Sequence, residues 1–307
     1  MSKNKVTIIG AGLVGSTAAY SLIAAGITEE IAMIDVNRKL NKSQVMDLQH
    51  SVPFCGYTKI KVGSYSDLKD SRIAVITCGA AQKPGETRLD LLKKNSAIIR
   101  DLIPEIFKKN KNIIVIIVTN PVDILTNISI KLAPSHKKQI FGSGTILDTA
   151  RLRFLLGERM SVNPNSLHAY IIGEHGDSEV PLWSTVMVGN TPLDKFQKIS
   201  DQEKGLIFKN AKNAAYAIIE GKQATYYAIA AGIVKLVEAV LFNKKTVLTI
   251  SHPLNGQFGL QGVSLSLPRV IGASGVMRDI NIDISSGEKI LLKKSAKKLK
   301  EAEKNLK

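Results

Sequence analysis

Val6-Thr7-Ile8-Ile9-Gly10-Ala11-Gly12-Leu13-Val14-Gly15 joins an apolar run to a glycine-rich turn near the start of the chain. Residues 6–9 form a short apolar strand, and a helical stretch opens at Leu13. Between them Gly10, Gly12 and Gly15 keep the spacing Gly-x-Gly-x-x-Gly. Glycine permits a tight turn, lets the backbone approach a pyrophosphate, and packs helix against strand. The helix N-terminus then offers unpaired N–H groups and a positive dipole end to phosphates, with Leu13 and Val14 in its first turn. Asp35 closes the next apolar run, 20 residues after Gly15. A carboxylate there suits the hydroxyls of an adenine ribose and repels a 2′-phosphate, so NAD is expected rather than NADP. Asp35 also suits the start of a turn with Asn37.

Working outward, short apolar runs at 6–9, 31–34, 73–77 and 113–118 alternate with helical stretches at 13–25 and 89–107. Gly26 suits a helix C-cap, and Pro104 suggests a kink or early end in the second helix. This alternation predicts an α/β fold, a Rossmann-type doubly wound parallel sheet over residues 1–145. The second half, 146–307, reads as an α+β substrate and catalytic domain. It has a strand at 168–172, helices at 201–219 and 224–241, and short β-like segments at 246–251 and 263–267. A terminal lysine-dense helix carries a capping box from Ser285 and Glu288, with Leu292, Ala296, Leu299 and Leu306 at helical spacing.

At 307 residues the chain suits two cores, and 44% hydrophobic residues exclude wholesale disorder. No apolar run approaches the ~20 residues of a bilayer span, so no membrane is expected. The start of the chain lacks the pattern of a secretory signal. Cys55 and Cys78 are too few for a disulfide framework and too far apart for a local metal clip, so a reducing cytoplasm and no metal are expected. The net charge of +16 is spread along the chain without a nucleic-acid motif. It favours small anionic ligands by steering and predicts no nucleic-acid partner.

Four segments carry candidate chemistry. His175, in Gly173-Glu174-His175-Gly176-Asp177, follows a strand end, where open α/β sheets place ligands. Imidazole exchanges protons near neutral pH, as interconversion of an alcohol and a ketone demands. Asp148 and Arg151 share a helix face at i, i+3, which fits a plain intrahelical salt bridge. It fits equally a carboxylate that orients His175 beside a guanidinium that grips a substrate carboxylate. Asn120 follows the most apolar strand and is placed to contact substrate or nicotinamide. The polar loop 80–88 can close over a ligand and bring Arg88 to a reacting carbonyl, or serve as an ordinary βα connection. An NAD-binding scaffold without catalysis would need none of Arg88, Asp148, Arg151 and His175.

Together, GAGLVG, Asp35, GAAQKPGETR, VTNPVD, TILDTARLR, GEHGDSEVPLW and ATYYAIA resemble the L-lactate/L-malate dehydrogenase family over essentially the whole chain. The resemblance implies a hydride exchange between NADH and a small 2-oxo acid, with His175 as proton donor and Asp148 as its partner. It implies that Arg151 binds the substrate carboxylate, Arg88 polarises the carbonyl, and Asn120 orients substrate and nicotinamide. Thr225 and Ile229 resemble residues lining the substrate and nicotinamide pockets. Gln82 stands where malate-specific members carry arginine, so pyruvate is the expected substrate, with oxaloacetate or a larger 2-oxo acid as the alternative. Arg153 resembles the arginine of a fructose 1,6-bisphosphate effector site. Thr185 stands where that site's histidine is expected, which leaves the activation unsupported. The resemblance also implies a homo-oligomer, a tetramer or else a dimer.

Overall fold

The computed structural model describes residues 4–80 and 87–306, apart from the side chain of Arg88. Six strands come first: β1 (Lys5–Ile9), β2 (Glu30–Ile34), β3 (Lys59–Val62), β4 (Ile73–Ile76), β5 (Ile114–Ile117) and β6 (Ile140–Gly142). They lie parallel in the order β3-β2-β1-β4-β5-β6, the doubly wound arrangement whose strand order reverses beside β1. Helices α1 (Leu13–Ala25), α2 (Arg38–Cys55), α3 (Arg88–Lys109) and α4 (Val122–Leu132) supply the crossovers.

Side-chain alternation explains why both sheet faces are covered. Val6 and Ile8 of β1, with Ile114 and Ile116 of β5, join one apolar cluster with Ala18 and Leu22 of α1. Ile9, Val115 and Ile117 turn to the other face and meet Ile99, Ile103 and Ile106 of α3 and Leu125 of α4.

After α5 (Ile146–Met160) come β7 (Leu167–His168), β8 (Ile171–Gly173), β9 (Glu179–Pro181), β10 (Met187–Val188) and β11 (Thr191–Pro192). Helices α6 (Leu193–Phe196), α7 (Asp201–Lys222) and α8 (Tyr227–Leu241) follow, then β12 (Thr246–Asn255), β13 (Gln261–Gly272), β14 (Gly275–Asp279) and α9 (Ser286–Lys304). β12 pairs antiparallel with β6 through Ser251 and Gly142, so the parallel sheet continues as β12-β13-β8-β9. β7, β10 and β11 form a separate small sheet. The longest strands of the second half, β12 and β13, therefore extend the first sheet.

Several sequence expectations are corrected here. Pro104 neither ends nor interrupts α3, which runs to Lys109. Pro104 lies on the exposed face of α3, while buried Leu102, Ile103, Ile106 and Phe107 hold the helix down. The strand expected at 168–172 is two strands in different sheets, because the Ala169 carbonyl accepts from Arg153 and the Tyr170 carbonyl from the Leu182 amide. The helix expected from 224 starts at Tyr227, since Gln223 takes a left-handed φ of 72° that closes α7. The β-like segments at 246–251 and 263–267 grow to strands of 10 and 12 residues. α1 keeps the expected bounds with Gly26 at φ 63°, and the Ser285–Glu288 capping box starts α9.

Candidate active site

The glycine turn follows β1. Gly10 adopts φ +114°, and a Cβ there would lie 2.5 Å from the Cys78 amide nitrogen. A Cβ on Gly15 would collide with the Gly10 carbonyl oxygen, so both glycines are needed for packing. Gly12 is different: a Cβ there would meet nothing within 4 Å, which leaves the face before α1 open. Gly12 caps α1 with no side-chain hydrogen bond, and the first turn, including Leu13 and Val14, carries no acid. The helix amides thus stay available for an anion, and a pyrophosphate fits this cradle. Asp35, just past β2, accepts from Ala11 N–H and Asn37 N–H, each at 2.7 Å. It therefore both braces the glycine turn and starts the turn with Asn37, and its oxygens retain lone pairs for ribose hydroxyls.

Asn120 follows β5 and is exposed. Its carbonyl accepts from Asn95 Nδ2 at 2.7 Å, and Asn95 Oδ1 accepts from Ala80 N–H at 2.8 Å. Buried Asn95 of α3 thereby ties the loop after β4 to the loop after β5, a role its place in an ordinary helical sequence does not signal.

The surroundings of His175 are assembled from three elements. Asp148 of α5 is 2% exposed; its Oδ2 lies 2.5 Å from His175 Nδ1, and its Oδ1 accepts from Arg151 at 3.0 Å. The intrahelical salt bridge and the orienting carboxylate are thus the same carboxylate. From α4, Asp123 accepts from the His175 amide at 2.7 Å and from the Ser251 hydroxyl at 2.5 Å. Asp123 was missed in the sequence, where its signal is an acid in the first turn of α4, three residues after Asn120. The β8–β9 loop is further held by α9 and α7. Ser295 Oγ accepts from Glu174 N–H at 2.8 Å, Lys298 donates to Glu174 at 2.9 Å, and Lys212 donates to the Asp177 carbonyl at 2.7 Å.

Electrostatics follow from this geometry. Burial alone would lower the pKa of His175, but the Asp148 carboxylate, then Asp123, outweigh it and raise it to about 9. Burial acts on Asp148 too, and the opposing charges of His175 and Arg151 keep its carboxyl below the usual range. Burial pushes Asp123 up to about 6 despite the hydrogen bonds from Ser251 and His175. Since ionised Asp148 only accepts, Nδ1 carries the proton between them and Nε2 is the atom left to exchange one.

The other expected residues fall as follows. Thr225 lies half-buried in the α7–α8 connection, and Ile229 on α8 joins the apolar cluster that contains Ala11 and Val118. Arg153 is engaged apart from His175: its Nε donates to the Ala169 carbonyl and its guanidinium lies 4.9 Å from the Tyr170 ring centroid. Thr185 donates to the Leu182 carbonyl at 3.4 Å. Gln82 and the Arg88 side chain lie outside the described residues.

Residues 4–142 match the NAD binding domain of lactate/malate dehydrogenase, and residues 145–307 match the alpha/beta C-terminal domain of the same family. An L-lactate dehydrogenase of Acetivibrio thermocellus is 46% identical over 307 residues, covering 98% of this chain and 97% of that protein. L-lactate dehydrogenase 1 of Clostridium acetobutylicum is 42% identical over 308 residues, covering 98% of both. Among solved structures, a lactate dehydrogenase from a Medee basin deep-sea metagenome superposes with TM-score 0.95 at 36% identity, covering 100% of this chain and 99% of that one. The minor L-lactate dehydrogenase of Enterococcus mundtii, in a ligand-bound form, gives 0.95 at 35% identity, covering 99% and 98%.

Proposed function

The chain belongs to the lactate/malate dehydrogenase family, and from that premise we propose that it is an NAD-dependent L-lactate dehydrogenase with His175 as the proton-exchanging group. The reaction is pyruvate + NADH + H⁺ to L-lactate + NAD⁺, reversibly. When bound, NADH supplies the hydride that reaches the carbonyl carbon. The open face at Gly12 and the amides of Leu13, Val14 and Gly15 would hold the pyrophosphate, with Gly10 shaping the turn, and Asp35 would take the adenine ribose. Asn120 and Ile229 would border the nicotinamide.

The carrying observation is the single buried carboxylate of Asp148, shared between His175 and Arg151. It fixes a protonated Nδ1, so Nε2–H faces the substrate and passes its proton to the carbonyl oxygen. It also fixes one edge of the Arg151 guanidinium, leaving the remaining N–H groups for two parallel hydrogen bonds to the substrate carboxylate. Asp123 keeps the His175 backbone still. Arg88, the first residue of α3, stabilises the charge that grows on the carbonyl oxygen. By the family resemblance Gln82 and Thr225 would face the methyl end of pyruvate, and the neutral amide of Gln82 offers no charge to pair with a second carboxylate.

Residues 1–145 act as the nucleotide-binding unit and 146–307 as the catalytic unit. The chain works in the cytoplasm in lactate fermentation, and it assembles as a homotetramer. Exposed Tyr20 on α1 and Met46 and Phe54 on α2 offer apolar surface for a second copy to cover. Among the described residues no helix is long and apolar enough to cross a membrane. Steady-state NADH oxidation with pyruvate tests the reading: wild type turns over, and His175→Gln falls by about 10³ or more. Comparable turnover in His175→Gln would refute the proton assignment.

A further inference from the structure

Glu179 sits on β9 opposite Gly173 of β8, and its amide donates to the Gly176 carbonyl at 3.1 Å. The loop closed by that pairing carries His175. The Glu179 side chain is 6% exposed, and its Oε1 has no hydrogen-bond partner among the described residues. A buried carboxyl oxygen without a hydrogen bond is costly. Its surroundings are charged. α5 presents Asp148 and Arg151, the β8–β9 loop His175, and α7 Lys212. Around His175 itself stand Asp148 and, from α4, Asp123, with Glu174 beyond it tied to Lys298 of α9.

We propose that Glu179 is a positioning residue that acts on the reaction through His175, its buried carboxylate holding the imidazolium proton in place at alkaline pH. The inference rests on His175 as the proton donor. In neutral solution the Glu179 carboxyl is uncharged, because burial and then the Asp148 carboxylate push it up to about 8, against the pull of His175 and Arg151. Above that pH it ionises and places a second negative charge near His175, which delays loss of the imidazolium proton. Asp148 sets the ring's orientation at every pH. Glu179 adds its effect only where His175 is about to lose its charge, and so widens the range in which pyruvate can be reduced.

Glu179→Gln keeps the shape of the neutral carboxyl and removes only its ionisation. The experiment records kcat/KM for pyruvate with saturating NADH between about pH 6 and pH 10. The expected result is an unchanged value at neutral pH and an alkaline limb displaced downward by about one unit. An alkaline limb at the wild-type position overturns the proposal. Should the variant fail to fold, infrared spectra of the wild-type protein decide. A neutral-carboxyl C=O band should be present at pH 7 and vanish near 8, above the range where Asp123 titrates. Its absence at neutral pH overturns the proposal. His175→Gln, assayed alongside, separates the two readings. Turnover retained there removes the proton-donor premise and the proposal with it. An inactive His175→Gln with an unmoved limb in Glu179→Gln removes Glu179 alone.

Discussion

Replacing Asp148 by asparagine should move the pH dependence of pyruvate reduction far more than it lowers the best rate. In the structure Asp148 is the strongest of the charges that raise His175 from 6.5 to about 9 against the burial that lowers it. Without that charge only the weaker pull of Asp123 and Glu179 opposes burial, and His175 should fall back towards its ordinary 6.5. A shift of this size, roughly 2.5 units, corresponds to about 3 kcal/mol between the two protonation states. At pH 7.5 the protonated fraction would fall from ~97% towards ~10%, so kcat/KM should drop by up to about tenfold from protonation alone. The rate should recover towards pH 6. Asp148→Asn also loosens Arg151, which raises KM at every pH, and an amide can favour the wrong ring tautomer, which lowers the whole profile. The diagnostic is therefore the position of the alkaline limb in kcat/KM against pH. A limb that stays near 9 in Asp148→Asn would refute the claim that Asp148 holds the proton on His175.

Gln82→Arg should shift preference towards oxaloacetate by supplying a partner for its second carboxylate, and an unchanged ratio of kcat/KM for the two substrates would refute that account. Arg88→Gln should lower kcat by about 10²–10³, the usual loss for one stabiliser of transition-state charge, and a near-normal kcat would remove its role. Stability should fall on mild acidification because of His252, which is buried, lies beside Arg269, and has its pKa lowered to about 4. The unfolded chain protonates first, so the contribution of neutral His252 is present above 6.5 and is lost as pH falls towards 4. Between pH 7 and pH 5 the loss is about 2 kcal/mol. Urea unfolding of wild type and His252→Asn at both pH values should show a smaller loss in the variant. An equal loss would reassign the acid sensitivity.

The first half was legible because its information is local. The glycine turn, the apolar runs and the αL cap at Gly26 each act within a few residues, and α1 keeps its expected bounds. Pro104 misled because a helix held down by its buried face tolerates it, and burial is not written in sequence. The second half was less legible for a related reason. β12 and β13 are long because they pair with each other and join the parallel sheet through β6, partners far away along the chain. Within the site, His175, Asp148 and Arg151 could be named from residue chemistry and from resemblance. Asp123, Asn95 and Glu179 could not. Asp123 reaches Ser251 across 128 positions, Asn95 matters only through two backbone groups on separate loops, and Glu179 matters through burial.

The most direct test of the central claim is kcat/KM for pyruvate against oxaloacetate, measured by NADH oxidation on purified protein without fructose 1,6-bisphosphate. The account predicts rapid turnover of pyruvate, a preference over oxaloacetate of about 10² or more, and no dependence on the sugar phosphate. A preference for oxaloacetate would contradict it, leaving the fold and the Asp148–His175 pair intact but overturning lactate as the product.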